Sequence, residues 1–170
     1  MWVLEAIDTI TFNMLDRFGI LSWHPDGLWG LFTAPWLHFG WQHLANNSVP
    51  LLVLGFFVAL SGVRRWVITT LVVAVTSGLA AWLLSPPNTM TLGASGIVFG
   101  WLTYLLSRGW WSRDWKQVLL GVVVFVVYGS VLWGVLPTTP GVSWQGHLGG
   151  AVGGLLAARL VHRARPVTAR

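Results

Sequence analysis

Long apolar runs, broken at charges, prolines and tryptophans, set the pattern of this chain. Read from break to break, they predict helices over about 38–62, 66–85, 95–108, 115–136 and 146–163. The opening segment, 1–18, is helical by period, because Val3, Ile7, Ile10, Met14 and Phe18 fall on one stripe. Glu5, Asp8 and Asp16 lie on its other faces. From Met1 to Leu15 this helix covers about 22 Å, against a hydrocarbon core of about 30 Å. It reads either as a first transmembrane helix whose beginning is missing or as an amphipathic helix lying in the interface. A long first loop, about 19–37, follows and holds the turn "HPDG". The whole pattern predicts an all-α polytopic membrane protein, one domain over residues 1–170.

Composition sharpens that picture. The chain is 55% hydrophobic and only 9% charged, with thirteen tryptophans among 170 residues. A soluble domain carries roughly a quarter charged residues, so lipid must serve as the solvent for most of this surface. The net charge of +5 then belongs to loops, and no basic run interleaved with aromatics points to nucleic acid. With no cysteine there is neither a disulfide framework nor thiolate chemistry. The first residues, "MWVLEAIDTITF", lack the basic start and small-residue cleavage site of a secretory signal.

Arg64 and Arg65, then Arg108, Arg113 and Lys116, then Arg159, Arg163, Arg165 and Arg170 fall on alternate connections. That asymmetry puts those ends and the C-terminus in the cytoplasm, while the uncharged loops 86–94 and 137–145 face outward. A prokaryotic plasma membrane is the expected location.

The polar exceptions then share one depth. His38, His43, Asn46, Asn47, Ser95 and His147 all lie toward the outward ends of their spans. Ionisable groups inside a membrane mark functional sites by default. If Arg108 marks the inner boundary, Ser95 lies about 10 Å below the outer one, since thirteen residues of helix cover about 20 Å. The stretch "PPNTMTLGA" would then run as irregular backbone at membrane depth, which needs a wet cavity or a protein cover.

Gly96 and Gly100 on one span, and Gly146, Gly150 and Gly154 on another, form small-xxx-small patterns that permit close helix approach. Ser95 and His147 flank the outward ends of these patterns, so packing there would bring hydroxyl to imidazole. The glycines could equally serve packing alone. His43 and Asn47 are four apart, on one helical face, whereas His38 falls nearer the rim. An amide and an imidazole N–H suit a developing oxyanion, and the Ser95 N–H at a helix start could join them. The alternative for His43 and Asn47 is a bond only to each other or to a loop.

Elimination narrows the chemistry. The five acids are Glu5, Asp8, Asp16, Asp26 and Asp114, and none falls within spans two to six. A paired-aspartate protease, a Ser-His-Asp triad and acid-dependent ion-coupled transport therefore lose their key residue. No HExxH occurs, and a metal held by His38, His43 and His147 stays open but would have no carboxylate to help it. "GASGI" is not the GxSxG elbow of soluble hydrolases, because Gly96 directly follows Ser95. What survives is a serine activated by histidine alone.

At this point the residues resemble the rhomboid family of intramembrane serine proteases. "LHFGWQHLANN" resembles its second-helix motif, "GASG" its GxSG, and "GHLGGAVGG" its sixth-helix histidine with following glycines. The resemblance runs from about Trp29 onward and implies a rhomboid six-helix bundle. It further implies that Ser95 is the nucleophile, that His147 is general base and acid, and that His43, Asn47 and the Ser95 amide hold the oxyanion. His38, Gly93, Gly96, Phe99, Gly150 and Gly154 would support them. Transmembrane proteins cut near their outer ends would be the substrates, within the lipid bilayer and without a metal or cofactor. Span five, with Trp133, and the loop "PTTPGVSWQ" would form gate and cap. Two departures stand out: Trp29 is followed by Gly30 where the family commonly has Arg, and Phe99 replaces the usual Tyr. The rival functions are a catalytically silent relative that binds transmembrane helices, and a small pore or transporter using the outer pocket.

Overall fold

The structure, a computed structural model, describes residues 1–162. Among these, the long elements are α1 (Trp2–Ile10), α3 (Trp41–Ala59), α4 (Val63–Leu84), α5 (Ser95–Ser112), α6 (Trp115–Tyr128) and α7 (Trp144–His162). A one-turn helix, α2 (Gly30–Thr33), sits in the first loop. The architecture is all-α except for a ribbon of β1 (Ile20–Leu21) and β2 (Met90–Thr91).

Burial is inverted relative to a water-soluble protein. α5 is the central helix, packed against α3, α4, α6 and α7 and buried almost continuously from Gly96 to Leu105. Leu54, Val58, Val73, Leu102, Leu105 and Ala157 close the core around it. Meanwhile Leu52, Phe56, Leu71, Leu79, Val122, Val126 and Leu160 are exposed, Val126 by 78%. Such an outward apolar belt is stable only against hydrocarbon. α4 and the stretch Trp115–Val135 are long and apolar enough to cross a membrane.

Several boundaries differ from the sequence expectation for physical reasons. The helix expected over 1–18 ends at Ile10, where the chain turns through Phe12 and Asn13 at positive φ and Asp8 Oδ1 accepts the Leu15 N–H at 2.6 Å. Its apolar stripe, Val3, Ile7 and Ile10, faces outward, and Glu5 and Asp8 are the buried residues. Arg64 and Arg65 belong to the first turn of α4, because Gly62 at φ 101° starts that helix early. Arg108 is not in a loop: it is buried within α5, donates to the Phe57 carbonyl at 3.4 Å and bonds Ser61 Oγ. α5 therefore runs one turn further, about 26 Å from Ser95 to Ser112, which reduces the depth inferred for Ser95. The helix expected over 115–136 tightens into a 3-10 helix at Gly129–Val135. Of the helix expected over 146–163, α7 supplies Trp144–His162, while Arg163, Arg165 and Arg170 lie outside the described residues.

The first loop is ordered, and it braces the approach to α5. Ser22 Oγ donates to the Pro86 carbonyl at 2.5 Å, Trp23 Nε1 to the Ser85 carbonyl at 2.9 Å, and Trp82 Nε1 to the His24 carbonyl at 2.8 Å. With the β1–β2 pairing, these bonds satisfy polar backbone that hydrocarbon could not. The Gly93 N–H then donates to the Ala34 carbonyl at 2.9 Å, two residues before Ser95.

Candidate active site

Ser95 opens α5, and His147 stands in the first turn of α7. The two helices meet on glycine: a Cβ at Gly150 would overlap the carbonyl oxygen of Gly96, and one at Gly154 that of Gly100. Gly96 faces Ser77 on α4 with the same lack of room. This close approach puts His147 Nε2 2.9 Å from Ser95 Oγ.

The tautomer follows from the other ring nitrogen. His147 Nδ1 lies 2.8 Å from the Gly134 carbonyl, which can only accept. Nδ1 therefore carries the proton in the neutral ring, and the Nε2 lone pair is left to accept from the Ser95 hydroxyl. Phe99 stacks on the imidazole at 4.1 Å between centroids and 12° between planes, which fixes the ring's tilt. The Gly134 carbonyl escaped the sequence reading, since a backbone group leaves no trace in residue type. Its position depends on the 3-10 segment that replaces the end of the expected helix.

His43 and Asn47 line the same cavity as Ser95 and His147, a space of about 1110 Å³ bounded also by Phe99, Val131 and the segment Pro137–Gln145. The Phe39 N–H donates to His43 Nδ1 at 3.4 Å, which leaves Nε2–H as that ring's free donor. Asn47 Nδ2 donates to the His43 carbonyl at 2.9 Å and keeps a second N–H. The Ser95 N–H is at the first position of α5, where no helical acceptor exists. Gly93 sits at φ 118°, and a Cβ there would collide with the His43 ring. His38 is not at a rim. It is 2% exposed, accepts the Ala94 N–H at 3.4 Å and meets His43 edge-on at 5.1 Å. It supports the turn into Ser95 from below.

Ser95, His147, His43, Asn47 and Phe99 thus line one cavity, Gly96, Gly150 and Gly154 form the helix contact behind it, and His38 and Gly93 brace the turn into Ser95, whereas Trp133 is 71% exposed and off the cavity lining. Comparison with known proteins identifies the family. A model of the Rhomboid domain matches residues 25–164. The chain belongs to the rhomboid family. It is 44% identical over 169 residues to an uncharacterized protein of Mycobacterium tuberculosis, covering 95% of this chain and 70% of that protein. A Mycobacterium leprae protein is 44% identical over 170 residues, covering 95% and 67%. The rhomboid protease GluP of Bacillus subtilis is 32% identical over 131 residues, covering 76% of this chain and 25% of that protein. As a rhomboid with an outward apolar belt, this chain is an integral membrane protein. Rhomboid proteins include serine proteases, and the geometry around Ser95 bears on whether this one cuts.

Proposed function

We propose that this rhomboid is an intramembrane serine endopeptidase working through a Ser95–His147 dyad. The observation that carries the reading is the chain of contacts from Gly134 carbonyl to His147 Nδ1 and from Nε2 to Ser95 Oγ. A carbonyl here takes the orienting role that an acid plays in a triad. Ser95 Oγ attacks the scissile carbonyl while its proton passes to His147 Nε2. The negative oxygen that forms is met by the His43, Asn47 and Ser95 N–H donors. His147 returns the proton to the leaving amine as the C–N bond breaks. Water, deprotonated by the same imidazole, then releases the acyl group and restores Ser95. No metal or cofactor enters any step.

Substrates are transmembrane segments of other proteins, cut near their extracytoplasmic ends. The basic residues Arg64, Arg65, Arg113, Lys116 and Arg159 lie at the end of the bundle away from Ser95, which by the positive-inside rule makes that end cytoplasmic. The cavity then opens outward. The Trp133-bearing segment and the loop 137–145 form its movable side.

The test is labelling of the purified protein in lipid by a fluorophosphonate, which reacts only with an activated serine. The unmodified chain is expected to label, and Ser95→Ala and His147→Ala are expected not to. A folded, unmodified chain that stays unlabelled would refute the protease reading and favour a silent, helix-binding relative. A companion result concerns Phe99. Phe99→Ala is expected to slow labelling about tenfold, the value of one well-stacked aromatic pair, whereas Phe99→Tyr keeps the rate. Equal rates for all three chains would show that the stacking does not position His147.

A further inference from the structure

Two acids of α1 take no part in that chemistry, yet both are buried, Glu5 at 4% exposure and Asp8 at 3%. A buried carboxylate is costly unless donors meet it. Asp8 Oδ1 takes the Leu15 N–H where α1 ends. The Glu5 carboxylate lies at the start of α3, where it faces the Gly40 N–H. Trp2 belongs to the same contact: its Nε1 donates to Ser48 Oγ at 3.2 Å, and its ring lies 5.9 Å from that of Trp41.

The start of α3 lacks a partner of its own. Gly40 has no side chain to cap the helix, and no acid stands in the first turn. A carboxylate brought from α1 answers the free N–H groups there and the positive end of the helix. Gly40 sits at φ 86°, directly after a residue tied to the site. That residue, Phe39, donates its N–H to His43 Nδ1 at 3.4 Å. The bond leaves His43 Nε2 carrying the proton, which is what an oxyanion donor needs.

We infer that Glu5 is a positioning residue for the oxyanion site. By holding the Gly40 N–H it fixes the backbone at 39–40, and through the Phe39 N–H it fixes the tautomer and tilt of the His43 ring. Glu5 is no part of the cavity wall and touches no reacting atom. Without it the Phe39 N–H drifts from a bond that is already long, and His43 loses the tautomer that points Nε2–H into the cavity. The inference rests on reading Ser95 as the nucleophile and His43 as an oxyanion donor.

The test compares the unmodified chain with Glu5→Leu, which removes the acceptor, and Glu5→Gln, which keeps one. Glu5→Leu is expected to lower kcat for a transmembrane substrate about tenfold with KM unchanged, since a displaced oxyanion donor costs less than a deleted one. Glu5→Gln is expected to restore the native value. Added to His43→Ala, Glu5→Leu is expected to cost nothing further, because its effect passes through His43. A loss that persists in the His43→Ala chain, or that glutamine does not rescue, or no loss at all, overturns the inference. Nitrogen-15 NMR of the His43 ring reads the same coupling without cleavage. Nδ1 is expected bare and Nε2 protonated in the unmodified chain, with the two tautomers mixed in Glu5→Leu, and identical ring spectra overturn the inference. If Glu5→Leu fails to fold by circular dichroism, Glu5→Asp, which withdraws the carboxylate by one methylene, carries both measurements. Fluorophosphonate labelling separates the two readings. An unmodified chain that stays unlabelled while Glu5→Leu mixes the tautomers defeats only the protease and leaves the hold of Glu5 on His43 standing. One that labels, with kcat and ring spectra indifferent to Glu5→Leu, defeats only the role of Glu5.

Discussion

Ser95→Ala is expected to lower turnover of a transmembrane substrate by at least about a thousandfold, and adding His147→Ala to it should cost almost nothing more. The expectation comes from how little else the cavity contains. The acids of the first helix and first loop, Glu5, Asp8, Asp16 and Asp26, are absent from the cavity wall. Hydroxyl activation thus depends on one 2.9 Å contact, and either partner alone is inert. Residues that act as one unit give effects that do not add. The measurement is kcat for the native chain, both single variants and the double variant, in the same lipid. Losses that multiply would mean that serine and histidine act independently. A Ser95→Ala chain within tenfold of native would move the nucleophile elsewhere.

Much of this site could be read from residue spacing, and the parts that could not share a cause. Ser95, Gly96 and the glycines of α7 were legible because close helix approach in lipid demands small residues at fixed intervals. His43 and Asn47 were legible because four residues return to one helical face. The burial of His38 is hidden from helical period, since α3 begins at Trp41 and the residues before it follow loop geometry. Its burial under the turn at Ala94 depends on a contact 56 residues away in sequence. A lone arginine after an apolar run usually marks a membrane boundary, and in sequence Arg108 looks like one. Here the end of α3 supplies carbonyl and hydroxyl acceptors that let it stay buried. The two-residue strands and the Gly134 carbonyl carry no compositional signal at all. The strands exist through backbone pairing distant in sequence, and the carbonyl acts through the imidazole of a residue on another helix; periodicity sees neither.

Gly150→Val should test whether the same helix contact holds both the fold and the dyad. A Cβ at Gly150 would overlap the backbone oxygen of Gly96 and crowd its carbon and Cα, none of which can swing aside as a side chain would. α7 must therefore move away from α5, and His147 lies on α7 one turn before the obstruction. Overpacking of this kind costs about 3 kcal/mol, at the upper end of its usual range because backbone is what must yield. The variant is expected to unfold at lower temperature and also to lose fluorophosphonate labelling below its unfolding transition. Val152→Ala, at a 45% exposed position two residues on, should change neither reading. Lost stability with full labelling would mean that the dyad is held by the Gly134 carbonyl and Phe99 without help from the helix contact. Lost labelling with full stability would mean the reverse, that the glycines serve chemistry more than packing. The close approach of α5 and α7 predicts that the two fall together.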